Sequence, residues 1–110
     1  MKKFKVVWAA GARADFELLI QHLIDRESAV SEKIFEALLA QADSLETAPE
    51  RGRKVPELLS LGVVDVREIF YKPWRIIYRI SENEVRILMV IDGRRNLADE
   101  LLRSLTTTTQ

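Results

Sequence analysis

The stretch from Val66 to Arg95, VREIFYKPWRIIYRISENEVRILMVIDGRR, reads as a three-stranded antiparallel meander. Branched and aromatic residues favour a pleated surface, and Lys72-Pro73 and Ser81-Glu82-Asn83 break the run at two short hairpin turns. Successive side chains of a strand point to opposite faces, so Trp74, Ile76, Tyr78 and Ile80 share one side while Arg75, Ile77 and Arg79 share the other. The same alternation separates Val85, Ile87, Met89 and Ile91 from Arg86, Leu88, Val90 and Asp92, and Arg67, Ile69 and Tyr71 from Val66, Glu68 and Phe70. One face of the last two strands is wholly apolar and needs a cover. The other mixes arginines with Ile77, Leu88 and Val90, more apolar than a solvated face requires, so a helix or a partner segment is expected over part of it.

Working outward, Phe4 to Trp8 is a short apolar run that predicts a first strand joining the meander. From Ala12 to about Glu27, Phe16, Leu19, Ile20, Leu23 and Ile24 recur at helical spacing; Ile34, Phe35, Leu38, Ala42 and Leu45 do so to about Glu46, with Ser28 or Ser31 as the expected cap between the two helices. Two amphipathic helices in tandem imply a helical hairpin, the obvious cover for the apolar face. PERGRKVPEL, Pro49 to Leu58, is polar and basic with a proline near each end and is expected as a surface loop. After Gly93, Leu97, Ala98, Leu101, Leu102 and Leu105 predict a short third helix capped by Asn96, and Thr106 to Gln110 a frayed tail. The expectation is a single α+β domain over residues 1–105, with residues 106–110 a disordered tail.

Composition narrows the function. The chain has 110 residues, of which 47% are apolar, suiting one core. Lysine plus arginine total 17 and aspartate plus glutamate total 17, so there is no overall cationic excess to drive nonspecific nucleic-acid binding. Cysteine is absent and His22 is the sole histidine, which leaves no thiolate nucleophile and no recognisable metal-ligand spacing; no cofactor is expected. Lys5 interrupts the N-terminal apolar run, and no stretch approaches the roughly 18 apolar residues of a membrane span. A cytoplasmic protein without membrane contact is expected.

Strand, helical hairpin, meander and short helix, carrying Gly52-Arg53-Lys54-Val55-Pro56-Glu57-Leu58, Val66-Arg67-Glu68, the run RIIY from Arg75 to Tyr78, and Gly93-Arg94-Arg95, resemble the RelE/ParE superfamily of toxins from type II toxin–antitoxin modules. The resemblance runs from about Phe4 to Leu105 and implies a cognate antitoxin as partner, in a hetero-oligomer. It also implies one of two targets. RelE-like members cut messenger RNA on the ribosome without metal; for such an enzyme Arg67, Arg75 and Arg95 stand at or near the family's basic catalytic positions. ParE-like members bind DNA gyrase and trap its cleaved DNA complex, with no active site of their own.

Three departures favour the ParE-like side. Leucine near Leu101 replaces the C-terminal tyrosine of RelE, Ile69 replaces a lysine expected beside Arg67, and Asp92 precedes Gly93-Arg94-Arg95 where many relatives have histidine. Arginine is a poor proton shuttle because its pKa stays above about 12. The resemblance assigns Arg53, Lys54, Arg94 and Arg95 to target binding, and Ile77, Leu88, Val90 and Arg79 to antitoxin docking. A nuclease, and a toxin fold that retains only antitoxin binding, remain as alternatives. For Arg67, Arg75, Arg79 and Arg86 the plain alternative is a cross-strand ion pair with Glu68, Glu84 or Asp92 on a solvated sheet, for Arg94 and Arg95 solubility or contact with Asp99 and Glu100, and for Arg53 and Lys54 a solvated turn.

Overall fold

The computed structural model describes residues 2–100. Strand β1 (Lys5–Trp8) leads into helix α1 (Ala10–Asp43); two 3-10 turns (Ser44–Glu46 and Pro49–Arg51) follow, then β2 (Arg53–Lys54), the short helix α2 (Pro56–Leu59), and β3 (Val66–Tyr71), β4 (Trp74–Ser81) and β5 (Glu84–Asp92). The meander is the centre of a five-stranded sheet of order β1-β5-β4-β3-β2. β1 runs parallel to β5, with Lys5 opposite Glu84 and Trp8 opposite Ile87, and the other neighbours are antiparallel.

The helical hairpin forms inside α1. Helical geometry breaks at Glu27, whose φ of −160° and ψ of 81° lie outside the helical region. In a straight helix Phe16 and Phe35 would stand roughly 28 Å apart at 1.5 Å per residue; their rings instead stack at 5.3 Å, so the two halves fold back on each other. The expected serine cap at this bend does not form: the Ser31 hydroxyl donates to the Ser28 carbonyl at 2.8 Å. The apolar stripe also stops short of the bend, where Ile24 stays 45% exposed.

Ala12, Phe16, Leu38, Ala42 and Leu45 lay the hairpin against Ile69, Ile76, Tyr78, Val85, Ile87 and Val90, with Trp8 and Trp74 at the margin. Val90 belongs to this face because of a β-bulge. Ile77 pairs with Met89 but Tyr78 pairs with Ile87, which leaves Leu88 as an extra residue and reverses the alternation of β5 beyond it. Met89 and Ile91, expected beneath the hairpin, therefore face the other way.

There they meet Ile77, Val66, Val55, Leu58 and Leu97 in a second apolar cluster. The Pro49 to Leu58 connector is thus more than a surface loop: Arg53–Lys54 pair with Glu68 and Arg67 as an edge strand, and Val55 and Leu58 are buried. Leu97, at the start of a helical turn over residues 97–100, closes the same cluster, and the Asn96 side-chain oxygen accepts from the Asp99 amide at 3.2 Å as the cap. The rest of the third helix, with Leu101, Leu102 and Leu105, and the tail lie outside the described residues. Among the described residues no helix is long and apolar enough to cross a membrane.

Candidate functional site

The arginines of the meander do not form one constellation. Arg75 projects from β4 into the second apolar face, where its side chain keeps 8% exposure. Its Nε donates to Glu68 Oε1 at 2.6 Å, with Nη2 in ion-pair contact with the same oxygen at 2.5 Å, while Nη1 and Nη2 donate to the two Glu57 oxygens at 2.9 and 3.0 Å. The Glu68 side chain is fully buried, and its Oε2 accepts from Arg53 Nε at 2.7 Å. Glu57, Arg75, Glu68 and Arg53 thus form a continuous charge-alternating chain from the short helix α2 to the edge strand. The hydrogen bond from Arg75 holds the Glu57 carboxyl below its ordinary value, and the bond to Glu57, then that to Glu68, pushes the guanidinium of Arg75 above its own. Two carboxylates thus engage all three guanidinium nitrogens and offset its charge, which weakens its pull on a phosphate.

Arg67 lies on the opposite face of the sheet, pairing across β4 with Tyr78. Its Nη1 donates to the Gly52 carbonyl at 2.8 Å and to that of Glu50 at 3.5 Å. The buried Tyr78 hydroxyl donates to the Pro49 carbonyl at 2.6 Å and accepts from the Gly52 amide at 3.1 Å; burial pushes this phenol's pKa upward. Gly52 is required by close approach. A β-carbon there would meet the Tyr78 hydroxyl and come within 2.6 Å of the Glu68 carbonyl. Arg51 fastens the same turn to the hairpin through Ser44 Oγ at 2.9 Å and Gln41 Oε1 at 2.5 Å. The turn is fixed from three sides, and from it Arg53 and Lys54 reach solvent, with the Arg53 guanidinium 5.1 Å above the Phe70 ring.

The third expected catalytic residue, Arg95, stands at the far end of β5 with its Nη2 2.6 Å from Glu100. Beside it the Arg94 guanidinium closes on Asp92 at 2.6 Å, and the Arg94 backbone amide donates to Asp92 Oδ1 at 2.9 Å. Arg94's side chain, then its backbone amide, pull the Asp92 carboxyl down to about 2. Through the bulge, Asp92 sits on the hairpin side of the sheet and not with Arg75. It lines a cleft of about 310 Å³ with Asp15, His22, Trp74 and Arg95. His22 is exposed, off the packed stripe.

Of the four residues assigned to antitoxin docking, Ile77 and Val90 are buried on opposite faces, Leu88 is half-buried at the bulge, and Arg79 is exposed in an ion pair with Asp65 at 2.9 Å. They do not make one patch, because the extra residue at Leu88 separates them. Arg86 pairs with Glu84, two residues back on the same strand and not across the sheet. Sequence reasoning missed Glu57 and the burial of Glu68. A signal was present: Glu68 shares its face with Val66 and sits diagonally across from Arg75, whose direct partner is Phe70.

Comparison with known proteins agrees with this architecture. The family model described as the ParE toxin of the type II toxin–antitoxin system parDE matches residues 6–97. Toxin ParE3 of Caulobacter vibrioides is 44% identical over 36 residues, a segment covering 33% of this chain and 36% of that protein. The match therefore spans about a third of the relative's length. Among solved structures, the chromosomal ParDE toxin–antitoxin system of P. aeruginosa superposes with a TM-score of 0.67 at 19% identity, covering 82% of this chain and 96% of that one. The toxin–antitoxin complex RelBE2 of Mycobacterium tuberculosis gives 0.60 at 22% identity, covering 84% and 93%. These two share the fold. Since that family model matches residues 6–97, most of its length, the chain belongs to the ParE toxin family of type II toxin–antitoxin systems.

Proposed function

We propose that this chain acts by binding, as a toxin that engages DNA gyrase and traps its cleaved DNA complex, and that a cognate antitoxin neutralises it in a hetero-oligomer. The observation that carries this reading is the pairing of Arg75 with two carboxylates, Glu57 and Glu68, through all three of its guanidinium nitrogens. A metal-independent ribonuclease needs cationic groups converging on one phosphate and a group that moves a proton. Here Arg75 is buried among carboxylates, Arg67 lies on the opposite face engaged with Gly52, and Arg95 pairs with Glu100 at the far end of β5. A binding toxin needs presented surface instead, and Arg53, Lys54 and Arg94 supply exposed cations in two places, with Arg95 beside Arg94. The ParDE and RelBE2 complexes among the structural relatives support an antitoxin as partner. For that contact Arg79 and Leu88 are the assigned residues that reach the surface, with Ile77 and Val90 beneath.

The test is a gyrase cleavage assay with purified chain and relaxed plasmid. Linear DNA released by detergent and protease should accumulate with dose, and Lys54→Ala with Arg94→Ala should lower the yield while the fold is kept. Codon-positioned cuts in translated messages, with gyrase activity untouched, would overturn the proposal.

A further inference from the structure

We propose that the end of the second sheet face where Arg79 of β4 stands directly opposite Arg86 of β5 is a contact site for the phosphate backbone of DNA. The first observation is the register that sets these two arginines together. Like charges directly across neighbouring strands repel, and the arrangement costs stability unless something offsets it. The β-bulge is what creates it. Carried on unbroken from Ile77 opposite Met89, the register would place Ile87 against Arg79; the surplus Leu88 brings Arg86 there instead. Bulges recur beside functional sites, where they re-aim a side chain. Val66 and Val7 flank the pair in the same row, and Lys5, two residues before Val7 and on the same face, adds an exposed ammonium.

The second observation is what the two guanidiniums have left to give. Arg79 Nε meets Asp65 at 2.9 Å, and Arg86 Nη2 donates to Glu84 at 3.0 Å. A guanidinium carries five N–H donors, so each side chain keeps most of them, at 45% and 49% exposure. Both ion pairs are exposed and therefore weak, so an arriving phosphate displaces or shares them at little cost. Two features select a phosphodiester over a polypeptide. β4 and β5 have strands on both sides, so no open strand edge is offered here. Among the described residues, none of the exposed large apolar side chains lies on β1, β4 or β5, so this surface presents charge without the apolar anchors around which protein interfaces are built. With 17 cationic against 17 acidic residues in the chain, the contact is local and weak on free DNA, and it gains weight where DNA is already held in place. The inference deepens the gyrase reading and rests on it only for the source of the DNA, the cleaved segment of the trapped complex.

The test is titration of the full chain with a short DNA duplex at low salt, followed by NMR of the backbone amides and arginine Nε–H groups, with a glutamate-rich peptide titrated in parallel. The duplex should shift Arg79 and Arg86, and the peptide should not. Arg86→Gln should reduce the slope of log affinity against log salt by about one, the loss of one phosphate contact, while Arg86→Lys keeps the charge and most of the slope. Arg79→Gln, at an equally exposed side chain, serves as a second variant if Arg86→Gln does not fold. Silence at Arg79 and Arg86, shifts confined to Arg53, Lys54 or Arg94, an equal response to the peptide, or a slope unchanged in the glutamine variants would each overturn the site. The gyrase assay is independent: shifts at the arginine pair without gyrase poisoning leave this site standing and remove the gyrase reading, and poisoning with the pair silent removes this site alone.

Discussion

Arg75→Ala should unfold the protein more readily, whatever it does to toxicity. The substitution strips the fully buried Glu68 carboxylate of its closest partner, leaving only Arg53, which is itself more than half exposed. Breaking a buried ion pair from one side costs roughly 3–5 kcal/mol, and the surviving Arg53 contact argues for the low end, about 3 kcal/mol. Against a total margin of about 5–15 kcal/mol this is a large share, and for a domain of this size it corresponds to a fall in Tm of roughly 12–24 °C. Thermal and urea unfolding followed by circular dichroism measure it. Adding Glu68→Gln removes the orphaned charge and should recover part of the loss. Glu57→Gln should cost much less, under about 1 kcal/mol, because Glu57 is 44% exposed and its pairing is screened. The pH dependence has a definite sign. Glu57 has a depressed folded pKa, so its contribution is present above the ordinary value of 4.5 and is lost as pH falls through the lower folded value. Arg75 has a raised one, so its contribution holds below the ordinary arginine value and is lost only above it. The network therefore fails on the acid side, and Glu57→Gln should flatten that limb. An Arg75→Ala protein that melts within about 3 °C of wild type while losing toxicity would refute the reasoning, since the guanidinium would then be held for function and not for the fold.

Gly52→Ala should destabilise by about 1–3 kcal/mol in urea titrations, since its β-carbon has to displace the Tyr78 hydroxyl or the Glu68 backbone. Tyr78→Phe leaves the buried Gly52 amide without its acceptor and should cost about 1–3 kcal/mol, with faster amide exchange at Gly52 as the local readout. Leu97→Ala should cost about 2–5 kcal/mol by thermal melting, because Leu97 is 2% exposed and closes the second apolar cluster. Asp92→Asn should flatten the stability profile between pH 3.8 and about 2: the wild-type carboxyl contributes above the first value and loses its contribution toward the second.

The elements were legible wherever one period dominated. Alternation marked all three strands of the meander, helical spacing marked both halves of the hairpin, and Asn96 marked the start of the last helix. What escaped depended on single residues whose effect is tertiary. Nothing local to VRILMVID signals that Leu88 is surplus; the bulge exists because Tyr78 pairs with Ile87 while Ile77 pairs with Met89, a choice made across strands. That one residue moved Asp92 away from the arginines, brought Val90 under the hairpin and sent Met89 to the other face. The connector misled for a related reason. Its prolines, glycine and charges are loop signals, yet Val55 and Leu58 are apolar anchors at a spacing too short to reveal a period. Arg67 and Arg75 occur eight residues apart in the chain, but a two-residue turn between their strands sets them on opposite faces.

Where the function sits follows from how fully the central strands are covered. Ile76, Tyr78 and Ile87 are sealed by the hairpin, while Ile77, Met89 and Ile91 are sealed by the connector and Leu97. Among the described residues Arg75 lies within this covered sheet, and its two carboxylate partners use its charge to bind the connector to the core. The proposed binding function places recognition at the periphery, at the edge with Arg53 and at the turn with Asp92, Arg94 and Arg95. These two places are built differently. The first is braced by Tyr78, Arg67 and Arg51, so a partner meets a preformed edge and little ordering cost is left for binding. The second is held mainly by exposed ion pairs, which screening weakens, so contacts made through Arg94 should depend on salt more steeply than those made at Phe70.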